Sequence, residues 1–460
     1  MRRFVVVLVA SVVGLGVVAP AGAGGAVAEI EAAVQADPGA GFFVRFAGTA
    51  DLSAAARIEG WTGRGAAVVA GLKAEADRSQ AEARRRLDRA GVRYRSFWAA
   101  NTLLVEGGTT TAAMLAGLAG VDRITAPRTY RPAVAASGSG VEAIGWGVIS
   151  MRATEVWADF GATGQGAVVA TIDTGVDWTH PALRRQYRGA EPIPHHDHNW
   201  FDPTNTCWIA PCDDHGHGTH TTGTMVGDDL AGNQIGVAPG ARWIAAKGCV
   251  GSSCADATLL AAAQWVFAPT DRTGNNPRPD LRPHVVVTSG WGGADDPWFG
   301  QIIAGWRAAG IFPSVAMTGS GPGCGAVNGP AAYPESYASN AHDINGAIAP
   351  FSVRGPAGAE IKPNVTAPGL RIRSALPDHN YGTFDGTTMA SAHTAGAVAL
   401  LLSAAPSLIG DVDRTAALLD DGATDRPDLT CGGTPDDNNT WGEGKLDVYA
   451  AVEQSPREAG

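Results

Sequence analysis

From about residue 150 onward, short runs of consecutive apolar residues alternate with Ala-rich stretches. AVVATID (167–173), RWIAAK (242–247), HVVVT (284–288) and IFPSVAM (311–317) are such runs. Continuous apolar strands separated by helices predict a parallel sheet buried on both faces. Residues 42–126 are patterned differently. GFFVRFAG (42–49) reads as a strand, and LKAEADRSQAEARRRLDRAG (72–91) as a charged helix closed by glycine. VRYRSFWA (92–99) and NTLLVEG (101–107) read as paired strands, TAAMLAGLAG (111–120) as a second helix and VDRITAP (121–127) as a last strand. The order β-α-β-β-α-β predicts a small ferredoxin-like α+β unit. AVAASGSG (133–140) then reads as an exposed linker.

Composition narrows the class. Hydrophobic residues make up 45% and charged residues 17% of 460, a globular profile. The net charge of −11 and the absence of a long basic run argue against nucleic acid as a partner. Arg84, Arg85 and Arg86 are the densest basic cluster and read as a solvated helix face. At the N-terminus, Arg2 and Arg3 precede an apolar run from Phe4 to about Val18 and then Ala21-Gly22-Ala23. That is the pattern of a secretory signal peptide, so the expected location is extracellular, with no membrane anchor after its removal. Six cysteines fit an oxidising compartment. Cys207 and Cys212 are close in sequence, as are Cys249 and Cys254, which leaves Cys324 and Cys431 for a long-range pair. Six cysteines allow about 15 connectivities, and this is the most economical of them.

Candidate chemistry sits at the ends of predicted elements. TIDTGVD puts Asp173 at the end of a strand, and DDHGHGTHTTGT puts His217 in a glycine-rich turn that opens a helix. FDGTTMASAHTAGAVALLL puts Thr388 where a loop becomes an apolar helix. An acid, an imidazole and a hydroxyl are the ingredients of nucleophilic acyl transfer. Each has a plainer reading. Asp173 could be a turn residue, His217 and His220 a metal pair or core side chains, and Thr388 the N-cap of the 389–403 helix. DTG at 173–175 also matches aspartic proteases, but that mechanism needs a second carboxylate of the same kind and no second DTG occurs. His195, His196 and His198 with Asp197 or Asp202 read as a polar loop before they read as a metal site. No metal ligand set is assigned.

Taken together, these motifs resemble the subtilase (subtilisin-like serine protease) family, in texture the bacillopeptidase F type. DTGVD is similar to its Asp motif, HGHGTHTTGT to its His motif and GTTMASAH to its serine motif. GVAPGA (236–241), KPNVTAPG (362–369), SGPGC (320–324) and YPES (333–336) add to the likeness, which covers about 150–452. The resemblance implies a three-layer α/β fold with a mostly parallel central sheet, preceded by the α+β unit as an inhibitory propeptide. The implied organisation is a signal peptide at 1–23, propeptide at 24–132, linker at 133–149, peptidase domain at 150–452 and tail at 453–460. It implies a polypeptide substrate or bound peptide, the chain's own propeptide as a partner, and Asp173 and His217 as orienting acid and general base. It is compatible with a structural calcium ion, although no EF-hand-like loop is present. No other cofactor is implied.

The likeness breaks where chemistry is most demanding. The family's nucleophilic serine aligns with Thr388 and a neighbouring proline with Ala392. The asparagine that donates to the oxyanion aligns with Gly319. In the substrate-lining segment Gly290-Trp291-Gly292, Gly290 stands where serine is expected. These departures predict impaired hydrolysis with peptide binding retained, or else a slow endopeptidase using Thr388. A double repair, Thr388→Ser with Gly319→Asn, is expected to restore activity.

Overall fold

The computed structural model describes residues 41–131, 143–288, 298–319, 321–356 and 359–456, and the backbone of 135–136. Residues 1–40 (the expected leader and the start of the expected propeptide), 132–134, 137–142 within the expected linker, and Gly290, Trp291 and Gly292 lie outside the described residues.

The first unit has four strands: β1 (Phe42–Phe46), β2 (Tyr94–Phe97), β3 (Thr102–Val105) and β4 (Val121–Thr125). They pair in the order β2-β3-β1-β4, all antiparallel, as a ferredoxin-like sheet requires. The helix read at 72–91 is two: α1 (Trp61–Ser79) and α2 (Ala81–Ala90), joined at Gln80. Its first eleven residues escaped the pattern because Gly63, Gly65 and Gly71 dilute the helical signal. The second helix is α3 (Thr109–Ala116).

The larger unit is built on seven parallel strands. They are β7 (Val168–Asp173), β8 (Trp200–Phe201), β9 (Arg242–Lys247), β11 (Val285–Thr288), β12 (Phe312–Ala316), β13 (Tyr337–His342) and β14 (Val365–Pro368), in the order β14-β13-β12-β11-β7-β9-β8. Side chains alternate across this sheet. Val169, Val285 and Val287 pack in one cluster with Val398 and Leu400 of α7 (Thr387–Ala404), beside Met225 and Val226 of α4 (His217–Val226). Ala170, Ile172 and Val286 pack in the other with α5 (Asp256–Phe267) and α6 (Trp298–Ala308). Helices on both faces make three layers, and α7, buried from Thr388 to Leu402, is apolar all round because it is covered all round.

The first unit sits on the α5–α6 face. Phe43, Val68, Val69, Leu72 and Phe97 join the same cluster as Leu259, Phe267 and Ile302. Burying each such side chain is worth about 1.5–3 kcal/mol. Beyond β4 the chain runs onto the larger unit. Strand β5 (Thr129–Tyr130) pairs antiparallel with β10 (Cys254–Ala255). Strand β6 (Ala135–Ala136) pairs with β16 (Asn380–Asp385), which on its other side forms a hairpin with β15 (Ile372–Leu376). The cysteines pair as Cys207–Cys212, Cys249–Cys254 and Cys324–Cys431.

Candidate active site

Strand order reverses at β7: the chain proceeds from it to β9 on one side and returns to β11 on the other. Sites in open parallel sheets form at the carboxyl end of such a strand. Asp173 is the last residue of β7 and is fully buried. Its carboxylate accepts hydrogen bonds from Thr174 N (2.7 Å) and Thr221 Oγ1 (3.3 Å). The principal partner is His217 Nδ1, 2.7 Å from Oδ1 and 2.8 Å from Oδ2.

His217 opens α4, and local chemistry holds that turn. Asp213 accepts from the backbone N–H groups of His215 (3.0 Å), Gly216 (2.8 Å) and Thr219 (2.9 Å), a carboxylate at a helix N-terminus. Thr174 Oγ1 donates to Asp213 at 2.8 Å and accepts from Gly218 N at 3.0 Å, tying the acid's loop to the imidazole's. At Gly218 a β-carbon would overlap the carbonyl oxygen of Gly175, so only glycine lets the two loops meet. Sequence reasoning missed Asp213, Thr174 and Thr221. An aspartate just ahead of the helix was the available signal.

Electrostatics favour a charged imidazole at His217. Burial pushes its pKa down, but the charge and hydrogen bond of Asp173, with a contribution from Asp213, outweigh that and raise it above the usual histidine value. Its Nε2 is buried and has no hydrogen-bond partner among the described residues. His220 has a different role. Its Nε2 bonds the carbonyl of Ile372 at 2.8 Å, its ring stacks on Phe384, and burial lowers its pKa to about 3. It is a neutral core side chain.

Thr388 lies in the first turn of α7, which packs against α4, and is 4% exposed. The N-cap expectation fails here. Gly386 occupies the cap position with no side-chain capping bond, and Thr388 is already helical. Its hydroxyl makes no hydrogen bond to any described residue, His217 Nε2 included. The neighbouring Thr387 anchors the turn by donating to the carbonyl of Met317 at 2.8 Å. Ala392 is buried, and the His393 ring bonds the carbonyl of Met389 at 2.8 Å with its pKa lowered to about 4 by burial.

Gly319 follows β12 with φ +142, bridged antiparallel to Val327. A β-carbon there would overlap the carbonyl oxygen of Ala326. No side-chain donor fits this backbone, which corrects the expected double repair: Gly319→Asn demands a new backbone path.

The polar loop at 195–202 disperses its groups. Tyr187 Oη meets His196 Nδ1 at 3.0 Å, His198 Nε2 bonds the carbonyl of Asn276 at 3.0 Å, and Asp197 pairs with Arg272 at 3.1 Å. Among the described residues no group of three or more carboxylate, imidazole or thiol side chains converges to hold a metal, so no calcium ligands are assigned.

The chain's own backbone flanks this site on both sides. Strand β10 follows the Cys249–Cys254 turn, whose Gly248 and Cys249 N–H groups bond the carbonyl of Asp173 at 2.7 and 3.2 Å. β5 adds to β10 as an extra strand, extended by two bonds between Arg128 and Asp256 at 2.8 and 3.1 Å. β6 adds to Phe384 and Asp385, just ahead of Thr388.

A sequence profile described as the Subtilase family matches residues 164–444. Bacillopeptidase F of Bacillus subtilis (strain 168) is 43% identical over 324 residues, 68% of this chain and 22% of that protein. The Major intracellular serine protease of the same organism is 30% identical over 260 residues, 56% of this chain and 74% of that protein. Subtilisin E, also from B. subtilis, is 30% identical over 268 residues, 58% and 63% respectively. The chain thus spans about a fifth of the length of Bacillopeptidase F and most of the intracellular protease.

Proposed function

The chain belongs to the subtilase family, and we propose that it is a secreted, peptide-binding member whose hydrolytic step is impaired at the nucleophile. The observation that carries this reading is the broken third link. Asp173 and His217 keep a tight hydrogen bond, while Nε2 of His217 is buried without a partner among the described residues, so the Thr388 hydroxyl does not bond it. A β-branched hydroxyl residue has few χ1 choices with which to form that bond. In subtilisin, loss of the nucleophile costs about 10⁶-fold in turnover and loss of one oxyanion donor about 10²–10³-fold. Gly319 supplies no side-chain donor, so both terms act against the same transition state.

Binding is supported separately. The pairing of β5 with β10 is strand addition to an exposed edge, a mode in which backbone hydrogen bonds hold an extended peptide. The first unit, read as a propeptide, is the occupant we assign to that edge in cis, and an extended polypeptide the occupant in trans. Export rests on the leader pattern at 1–23.

The intact Asp173–His217 pair favours a second reading, a slow endopeptidase using Thr388. Fluorophosphonate labelling separates the two. The impaired reading expects no adduct on the parent and a gained adduct on Thr388→Ser. A parent adduct on Thr388 that disappears in His217→Ala would establish the slow enzyme.

A further inference from the structure

Between the two units lies a cavity of ≈ 190 Å³ that includes none of Asp173, His217 or Thr388. The first unit contributes Lys73 of α1, Arg95 of β2 and Trp98; the larger unit contributes Phe201 of β8 and Gln264 and Trp265 of α5. Its lining contains no carboxylate, in a chain whose net charge is −11. Neither cation is in an ion pair with a described residue, and Lys73 Nζ sits 5.4 Å from the Trp98 ring centroid. The other wall is aromatic, with the Phe201 and Trp265 rings near-parallel at 9° and 6.0 Å apart.

Size sets the class of ligand. An apolar cavity of about 150 Å³ holds a benzene ring, so this one holds a ring and one small substituent. Two cations call for an anionic substituent, and aromatic walls call for a flat body.

We propose that this cavity is a binding site for a small aromatic monocarboxylate, its carboxylate answering Lys73 and Arg95 and its ring packed on Trp98 and Phe201. Because both units line it, the ligand stabilises their docked arrangement by RT ln(1 + [L]/Kd). Titration of the full chain with benzoate, followed by tryptophan fluorescence and by Tm, tests this, with benzyl alcohol as the uncharged ring and acetate as the ringless anion. Expected are saturable benzoate binding with a raised Tm, and affinities for the other two at least tenfold weaker. Lys73→Gln with Arg95→Gln weakens benzoate binding at least tenfold, about 1.4 kcal/mol, with near-UV circular dichroism unchanged. Equal binding of benzoate and benzyl alcohol, or benzoate binding insensitive to the charge variant, overturns the proposal. So does the absence of any saturable signal.

Discussion

At the residue scale, the distinction between Thr388 and serine carries the account. Thr388→Ser is expected to raise casein hydrolysis above the parent by at least an order of magnitude, because the smaller side chain can rotate towards His217 Nε2. Adding Gly319→Asn is expected to lower Tm and erase that gain, since the position is left-handed and its β-carbon collides with the carbonyl of Ala326. The pH profile of Thr388→Ser follows from His217. Its folded-state pKa is raised, and a general base works only when neutral, so hydrolysis should climb through an inflection above 6.5. By linkage, the protonated Asp173–His217 pair contributes stability that is complete below the unfolded-state value and lost as pH rises through the folded one. Asp173→Asn should shift the inflection downward and depress the rate, measured as kcat/KM against pH. Asp173 and His217 were readable because their motifs name element ends. The state of Thr388 was not, because whether a hydroxyl caps a helix or faces an imidazole depends on where the helix begins.

Among the elements, α1 shows what the pattern concealed. Three glycines hid its first turns, yet those turns hold the first unit to the second. Arg64 donates to the carbonyls of Ala308 (2.6 Å) and Arg307 (3.1 Å), satisfying the C-terminal carbonyls of α6, and to that of Gly410 (2.8 Å). Trp61 covers the buried Arg282 guanidinium at 3.5 Å from the ring centroid, and its carbonyl accepts from the same group at 2.8 Å. Gly65 is there because a β-carbon would collide with Arg282. Charge-assisted hydrogen bonds of this kind are worth about 1.5–3 kcal/mol. Arg64→Ala should therefore lower the chain's stability by about that amount in urea unfolding, with the ferredoxin-like unit loosening first by hydrogen exchange. The sheet strands of the larger unit were legible because they are apolar on both faces. β13 (YASNAH) was not, because its serine, asparagine and histidine are buried through hydrogen bonds to other elements, such as Asn340 Nδ2 to the carbonyl of Val353 at 2.9 Å.

Over the whole molecule, one sheet, two helical layers and a small α+β unit place an intact acid–imidazole pair beside strand edges already occupied by the chain itself. The three disulfides join the expected partners, two of them closing short loops whose cysteines were near in sequence. The position of the first unit on α5 and α6 could not be read from sequence, since it depends on surfaces formed by residues more than a hundred positions apart. On the reading proposed above, this site holds its own chain without cutting it. Intact mass of the chain purified from culture medium, alongside Thr388→Ala, decides the point. Both chains are expected to retain the N-terminal unit from about residue 24. A parent chain shortened near the segment between β5 and β6, with the shortening abolished in Thr388→Ala, would show instead that the site cuts.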